Sequence, residues 1–391
     1  MKSGHSSLTG STSEKVPQVR EDSPMKSYVG MDVHSKSSVF VIQNERGEEL
    51  GRGEVPTSVE GFSSLRLRFR LRASTLVALE SGTMAFFAAR RLSELGLSPV
   101  VVDAREVRIK AHRPRQKSDT RDAVELCEGL RRGIYRAIVH VPPAQIEHLR
   151  NTLSRRRHFV RLGTAEINAA KKMLRSAGLS ELSRQHMGTL RAWQRLLQAL
   201  APHPEVRSFV ELHHRAWQSA VEQRVACERS LEEQHAAFGE DLERLKAVPG
   251  VGEIVALTAI AVFSDATRFP SAKHAASYAG LVPQTYQSGE TNRQGHITRT
   301  GSPELRAMLV QAAHTARRQS SPLNPFLRNL TLRLGTRRAV IAVAHRLCRV
   351  LYAMLRDKAT FDASKLKAHE SRSPIEGARL YRLKPQAAKS R

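Results

Sequence analysis

The sequence predicts an α/β amino-terminal domain, an all-α middle region and a mainly helical carboxy-terminal domain. Strand-like apolar runs alternate with helix-like segments over residues 27–142, which is typical of a layered α/β domain. From 143 to 245, apolar residues recur at three- and four-residue spacing and indicate long helices. Aromatic residues make up only 5 % of the 391 residues, whereas apolar residues make up 40 %, and this balance favours aliphatic, largely helical cores.

The first domain begins with two strands separated by a polar bend, in "SYVGMDVHSKSSVFVIQNERGEEL", and a short third strand is predicted around "GRGEVP". Helices are then predicted at "VEGFSSLRLRFRL", "MAFFAARRLSELG" and "SDTRDAVELCEGLRRG". Two further strands lie between them, at "STLVALES" and "SPVVVDA". Strands that are followed by helices indicate a mixed sheet with helices packed on it.

The middle region contains two long amphipathic helices with Arg and Lys on their polar faces. Their length suits an antiparallel arm or an intermolecular coiled coil, and a plain helical bundle fits the pattern equally well. Residues 246–358 form a third unit that passes through a Gly- and Thr-rich stretch and ends in helices. We expect a disordered tail at 1–26 and a loosely ordered basic tail at 359–391.

The chain is strongly basic, with 63 Lys and Arg against 37 Asp and Glu and a net charge of +26. This balance favours a polyanionic partner, nucleic acid first and a membrane surface second. No apolar run approaches the roughly 18–20 residues of a membrane span, and no signal-peptide pattern opens the chain. The three cysteines are far apart and suggest neither a disulfide framework nor a metal site, so we expect a protein of the reducing cytoplasm.

Four carboxylates stand out against this basic background. Asp32 interrupts the apolar run of the first strand, and Glu80 ends a buried strand, where ligands of open α/β sheets gather. Asp119 and Asp122 lie three residues apart, on one face of a predicted helix, where like charges repel each other. A shared divalent cation removes this repulsion, and oxygen ligands suit Mg²⁺ or Mn²⁺. Together the four acids predict a two-metal site for phosphodiester chemistry.

Two of the four acids also have a purely structural interpretation. Asp119 could cap the helix, with Ser118 as the competing cap residue. Asp122 could pair with Arg121 or Arg115. The joint pattern, two acids that follow buried strands and two on one helical face, favours the metal site.

The motifs "GMDVHSK", "ALESG", "VVDAREV" and "KSDTRDA", and the long block from "LKAVPGVGE" to "LRAMLVQAA", resemble the transposases of the insertion sequence 110 family over roughly residues 27–358. The resemblance implies an RNase H-like, RuvC-like DEDD domain with Asp32, Glu80, Asp119 and Asp122 as its metal-binding tetrad. It also implies recombination guided by an element-encoded bridge RNA that pairs with donor and target DNA. The family's serine nucleophile maps to Ser288 in "YQSGETN", in a composite site of a dimer or tetramer.

Two positions depart from the family pattern. Gln287 stands where members often carry a second serine, and Gly301-Ser302 stands where Gly-Asn is common. Ser302 and Pro303 suit the cap and first turn of a helix, so we take both changes as tolerated. Without the resemblance, "QSGET" would be interpreted as an ordinary polar turn.

Several residues are candidates for contacts with nucleic acid. Gly250 and Gly252 in "VPGVGE" suggest a helix-hairpin-helix element that offers backbone N–H groups to a phosphate, although a tight interhelical turn explains them equally well. Gly289 would let a DNA backbone approach Ser288. The basic candidates for backbone contacts, whose alternative is a solvated helix face, are Arg155, Arg156, Arg157, Lys171, Lys172, Arg293, Arg299 and Arg306.

The leading hypothesis is therefore a metal-dependent, RNA-guided DNA recombinase with a serine covalent step. A Holliday-junction resolvase that uses metal-activated water is the second, and it leaves Ser288 and the carboxy-terminal domain unexplained. A nucleic-acid-binding protein without activity is the third, and the intact set of four acids argues against it.

Overall fold

We analysed a computed structural model that describes residues 26–110, 118–288 and 291–367. The predicted tails lie outside these residues from 1 to 25 and from 368 to 391. The chain divides into two compact units, with the boundary between Val141 and Pro142. The three-part division of the sequence into domains remains a prediction.

The first unit is built on a five-stranded mixed sheet in the order β3-β2-β1-β4-β5. Its strands are β1 (Ser27–Val33), β2 (Ser37–Asn44), β3 (Glu49–Pro56), β4 (Leu76–Glu80) and β5 (Ser98–Val102). Strand β1 pairs antiparallel with β2 and parallel with β4, and β4 pairs parallel with β5. The predicted mixed sheet is thereby confirmed.

Helices pack on this sheet from both faces. They are α1 (Val59–Arg68), α2 (Ala85–Glu94), α3 (Ala104–Lys110) and α4 (Asp119–Arg131). On one face, Val29 and Met31 of β1 share a buried core with Phe62 of α1 and Leu92 of α2. On the other face, Ala78 of β4 packs with residues of β5, α3 and α4. Successive strand residues point to opposite faces, so both faces of the sheet are covered.

The second unit begins with a helical arm. Its helices are α5 (Ala144–Ser176), α6 (Ser180–Ser183), α7 (Leu190–Ala199) and α8 (Pro204–Gln234). Contacts between α5 and α8 join Thr152 to Gln234, Arg156 to Glu228 and Glu166 to His213, so the two helices run antiparallel. Of the alternatives that the sequence left open, the antiparallel arm within one chain is the one observed.

The remainder of the second unit has the largest core. Its elements are α9 (Gly239–Lys246), α10 (Glu253–Phe263), α11 (Ala272–Tyr278), β6 (Pro283–Ser288), β7 (Thr291–Ile297), α12 (Pro303–His314), α13 (Asn324–Leu334), α14 (Thr336–Asp357) and α15 (Ser364–Lys367). Leu149 and Leu153, at the base of the arm, belong to the same apolar cluster as α10, α12 and α14. Leu366 is buried in this cluster too, so the first part of the predicted carboxy-terminal tail packs on the core. Among the residues that the structure describes, no helix is both long and apolar enough to cross a membrane.

Candidate active site

The parallel pairing of β1 with β4 brings two of the four predicted acids to one edge of the sheet. Met31 pairs with Leu79, and the next step of the same register places Asp32 beside Glu80. Both side chains are half-buried. Because strand residues alternate between faces, Asp32 lies on the face of Gly30, and Glu80 lies on the face of Ala78, which is the face that α4 covers. This edge is where the sequence predicted a metal site.

The acidic pair lies in the first turn of α4. Ser118 is the cap residue, since its Oγ accepts a hydrogen bond from the backbone N–H of Arg121 at 3.4 Å. Asp119 is therefore the first residue of the helix, and its structural interpretation as the cap is wrong. The backbone N–H of Asp122 donates to the Ser118 carbonyl at 2.9 Å, as in a regular first turn. Capping by Ser118 leaves the Asp119 carboxylate available for other contacts.

Gly30 sets the distance between α4 and the sheet. A Cβ atom at this position would lie 2.1 Å from the carbonyl oxygen of Ala123 and 2.3 Å from the backbone nitrogen of Cys127, so only glycine fits. Cys127 Sγ donates to the carbonyl of Tyr28 at 3.2 Å, and burial raises the pKa of this thiol to about 11. Cys127 is thus a neutral packing residue that helps to fix α4 over β1.

This close packing brings Asp32, His34 and Asp119 together. His34 Nε2 lies 3.2 Å from Asp32 Oδ2 and 3.5 Å from Asp119 Oδ2. One ligand atom from each of the three residues lies within 4.8 Å of the others. Two carboxylates and one imidazole form a donor set that fits a divalent cation. In the described part of the chain, Glu80 and Asp122 fall outside this three-residue group, although they lie on the same edge of the sheet and in the same turn of α4.

Sequence reasoning missed His34, although it lies inside the quoted motif "GMDVHSK". A single histidine two residues after an aspartate is a weak signal for a metal ligand, because strand alternation predicts only that the two side chains lie on the same face of the sheet. Its contact with Asp119 depends on how α4 packs, and this packing is a long-range property of the fold.

Ser288 is the last residue of β6 and is exposed. Strands β6 and β7 form an antiparallel hairpin in which Ser288 pairs with Thr291 and Tyr286 pairs with Arg293. The described part of the Gly- and Thr-rich stretch is therefore a pair of antiparallel strands, with Ser288 at the end of the first. Arg293 is exposed on β7, and Gly289 lies outside the described residues.

Arg306 and Arg299 lie close to the start of α12. One guanidinium nitrogen of Arg306 donates to the carbonyls of Ala279 and Thr300, at 3.1 and 3.2 Å, so this side chain holds the loop before α12. Burial, together with the charges of Arg299 and Arg157, lowers the pKa of Arg306. Arg299 is exposed, with φ of 55°, an uncommon backbone conformation for a residue other than glycine.

The predicted hairpin at Gly250 and Gly252 connects α9 with α10. Gly250 has φ of +89°, and a Cβ there would lie 2.0 Å from Thr315 Oγ1, so this glycine is required for packing. Gly252 is the cap residue of α10 and is exposed, and a Cβ there would meet open space. The N-terminal end of α10 is thus the accessible part of the hairpin.

The basic residues of α5 differ in their surroundings. Arg156 binds Glu228 of α8, with its Nη2 at 2.8 Å and its Nε at 2.9 Å from the same carboxylate oxygen. Arg155 and Lys172 are exposed, whereas Arg157 and Lys171 are half-buried. Arg156 thus joins the two helices of the arm by an ion pair. The exposed residues, Arg155 and Lys172, are the ones accessible to a polyanion.

Comparison with known proteins defines the class. A family profile of DEDD transposases matches residues 29–179, which include α4 and the five-stranded sheet apart from the first two residues of β1. The chain is accordingly a DNA transposase, an enzyme of DNA recombination. A second profile, described as transposase IS116/IS110/IS902 family, matches residues 242–327. The chain belongs to the IS110 family of transposases.

Curated relatives agree with this assignment. A "probable family 20 transposase" of Pseudomonas aeruginosa is 29 % identical over 73 % of this chain and 86 % of its own length. The transposase for insertion sequence element IS1328 of Yersinia enterocolitica is 26 % identical over 85 % of this chain and 97 % of its own length. The pilin gene-inverting protein of Moraxella lacunata is 33 % identical over 30 % of this chain and 38 % of its own length.

Proposed function

We propose that the first unit is an RNase H-like, RuvC-like catalytic domain in which Asp32, Glu80, Asp119 and Asp122 hold Mg²⁺ or Mn²⁺. The observation that carries the proposal is the convergence of Asp32 and Asp119 from a central strand and a separate helix onto one small volume. Glu80 ends the neighbouring parallel strand, and Asp122 follows one turn into α4. Four carboxylates in a chain of net charge +26 are suited to a cation that lies against a phosphate backbone.

The reaction of this domain is phosphodiester cleavage and rejoining at the ends of an insertion element and at its target. Divalent cations bound there would polarise the scissile phosphate and favour the deprotonated nucleophile. The chain's own residues position the site. Ser118 caps the N-terminal turn of α4, which carries Asp119, and Gly30 lets α4 pack closely enough for that turn to reach Asp32.

The nucleophile of the proposal is Ser288. The serine hydroxyl loses its proton and its Oγ bonds to phosphorus as the bond from phosphorus to one deoxyribose oxygen breaks, and that oxygen leaves with the electron pair and takes up a proton. A strand-end hydroxyl then loses its proton and attacks the serine–DNA phosphodiester, and Ser288 Oγ leaves and regains a proton, so rejoining needs no ATP. The exposure of Ser288 at the end of β6 supports this role. The name of the Moraxella lacunata relative, pilin gene-inverting protein, fits chemistry that cuts and rejoins DNA.

Target choice in this proposal belongs to an element-encoded guide RNA that base-pairs with donor and target DNA. A guided enzyme reads the backbone and delegates sequence to base pairing. The exposed Arg155, Lys172 and Arg293 are suited to such backbone contacts. The enzyme acts as a dimer or tetramer, with Ser288 of one subunit and the carboxylates of another at the same phosphate.

Substitution of Asp119 tests the metal site. We expect Asp119→Asn to fold and to bind nucleic acid, and to lose cleavage by about a hundredfold or more, since the neutral amide is a poor ligand. Cleavage of labelled junction DNA in Mg²⁺ measures the loss. The control is Glu94→Gln, which removes an exposed acid of α2 that pairs with Arg91. Normal cleavage by Asp119→Asn would remove this aspartate from the catalytic set.

Substitution of Ser288 tests the covalent step. Wild-type protein with junction DNA, flanking RNA and Mg²⁺ should give a protein–DNA adduct on a denaturing gel, and Ser288→Ala should give none. Thr285→Ala, an exposed hydroxyl on the same strand, should keep the adduct. Cleaved DNA without an adduct in any lane would instead favour a resolvase that uses metal-activated water.

A further inference from the structure

His34 is held rigidly at the sheet edge, although its side chain is about half exposed, at 47 %. Its backbone N–H donates to the carbonyl of Ser37 at 3.1 Å, across the turn between β1 and β2. Its own carbonyl accepts a hydrogen bond from Thr57 Oγ1 at 2.8 Å. The backbone is therefore fixed on both sides, and the imidazole extends from a preorganised turn toward Asp32 and Asp119.

The separations around His34 Nε2 match those between neighbouring ligands of one ion. Ligands at about 2.1 Å from an octahedral cation lie about 3 Å apart when adjacent. The nitrogen lies 3.2 Å from Asp32 Oδ2 and 3.5 Å from Asp119 Oδ2. A single N–H directed at both oxygens would make one ordinary and one long hydrogen bond. At these separations a lone pair on the nitrogen and the two carboxylate oxygens can instead be ligands of one cation.

We propose that His34 supplies a nitrogen ligand to the cation that Asp32 and Asp119 hold, an inference that rests on the proposed metal site. The consequence is selectivity. Mg²⁺ prefers an all-oxygen shell with several waters, whereas imidazole is a ligand that suits first-row transition metals. The centre on β1 and α4 therefore binds Mn²⁺ more tightly than Mg²⁺, and His34 is the source of the difference.

The test is electron paramagnetic resonance of Mn²⁺ added to the full-length protein, which needs no DNA or turnover. Wild-type protein should show ¹⁴N coupling to bound Mn²⁺, and His34→Ala should lose it. Competition with Mg²⁺ should show the Mn²⁺ preference falling by about tenfold or more in His34→Ala. His213→Ala is the matched control, because His213 also contacts one carboxylate, Glu166, at 2.8 Å, and lies on the arm.

The outcomes separate this inference from the proposed metal site. Bound Mn²⁺ without ¹⁴N coupling in wild type, with binding lost in Asp32→Asn, would overturn the role of His34 and keep the carboxylate site. Mn²⁺ binding that is indifferent to Asp32→Asn and Asp119→Asn would overturn both. His34→Asn is measured beside the alanine variant, and a circular dichroism melt establishes that it is folded. Loss of ¹⁴N coupling in a folded His34→Asn supports the proposal even if His34→Ala unfolds.

Discussion

Gly30 shows how one missing side chain positions the helix that carries Asp119. The residue lies in the central strand, directly against the backbone of Ala123 and Cys127 in α4. Asp32 lies two residues further along β1 on the same face. The imidazole of His34 contacts both Asp32 and Asp119, which is in the first turn of that helix. The close packing of α4 on β1 therefore also brings Asp32, His34 and Asp119 together.

We expect Gly30→Ala to destabilise the protein by about 3 kcal/mol, because the new methyl group meets backbone atoms that cannot rotate away. The same variant should bind Mn²⁺ more weakly, since α4 must move outward and take Asp119 with it. Urea unfolding and Mn²⁺ titration measure the two effects. Gly82→Ala is the control, because a Cβ at Gly82 meets nothing within 4 Å. Equal stability of the two variants would contradict the packing argument.

The residue scale also shows what the sequence could and could not predict. Asp32 and Glu80 follow apolar strand runs, and parallel strands end at one edge, so their proximity was predictable from pattern. The capping role of Ser118 was recognised as an alternative to that of Asp119. The contact of His34 with Asp119 was not predictable, since it depends on the register of α4 over β1, and no local pattern encodes that register.

At the scale of elements, the arm carries its own small core. Trp193 of α7 and His214 and Trp217 of α8 form one aromatic cluster, with ring centroids 5.2 to 6.1 Å apart. Among the described residues, His214 Nε2 is buried without a hydrogen-bond partner. The length of α5 followed from its apolar periodicity, whereas the second long helix predicted at 216–248 is divided between α8, which already begins at Pro204, and α9. The pairing of α5 with α8 through Arg156 and Glu228 did not follow from the sequence, because helix register is decided by tertiary packing.

Acidification should loosen this cluster. Burial lowers the pKa of His214, and the charge of Glu211 opposes this only in part. The unfolded chain binds the proton more readily than the folded arm, so the arm is fully stable above about pH 6.5 and loses stability as the pH falls through and below that value. The two tryptophans of the chain are Trp193 and Trp217, so their fluorescence reports this region alone.

The measurement is a thermal melt followed by tryptophan emission at pH 7.5 and pH 5.5, for wild type and His214→Gln. Wild type should lose more of its arm stability on acidification than the variant, which carries no titratable group at this position. His213→Gln is the control, because His213 pairs with Glu166 and leaves the ring cluster intact. An identical pH dependence in wild type and His214→Gln would assign the effect to other groups.

At the scale of the whole molecule, the charge of +26 is not uniformly available. Arg156 is paired with Glu228, and Arg306 donates hydrogen bonds to backbone carbonyls near the start of α12. Arg155, Lys172 and Arg293 are exposed. The composition predicts a polyanionic partner, but only the fold separates basic residues that hold the protein together from those that can meet a phosphate.

The difference between exposed and internally paired basic residues predicts how DNA binding depends on salt concentration. Each phosphate contact releases condensed counterions, so the slope of log K against log salt reports the number of contacts. We expect Arg293→Ala to reduce the steepness of this slope by about 1 for duplex DNA of any sequence. Arg156→Ala removes the same formal charge, yet it should leave the slope unchanged, since the guanidinium of Arg156 is bound to Glu228 and makes no phosphate contact. Glu228 keeps Arg224 as a partner at 2.9 Å in this variant. Filter binding from 50 to 300 mM KCl measures both variants beside wild type. Equal slopes for the two variants would mean that total charge, rather than exposed position, governs the contact with DNA.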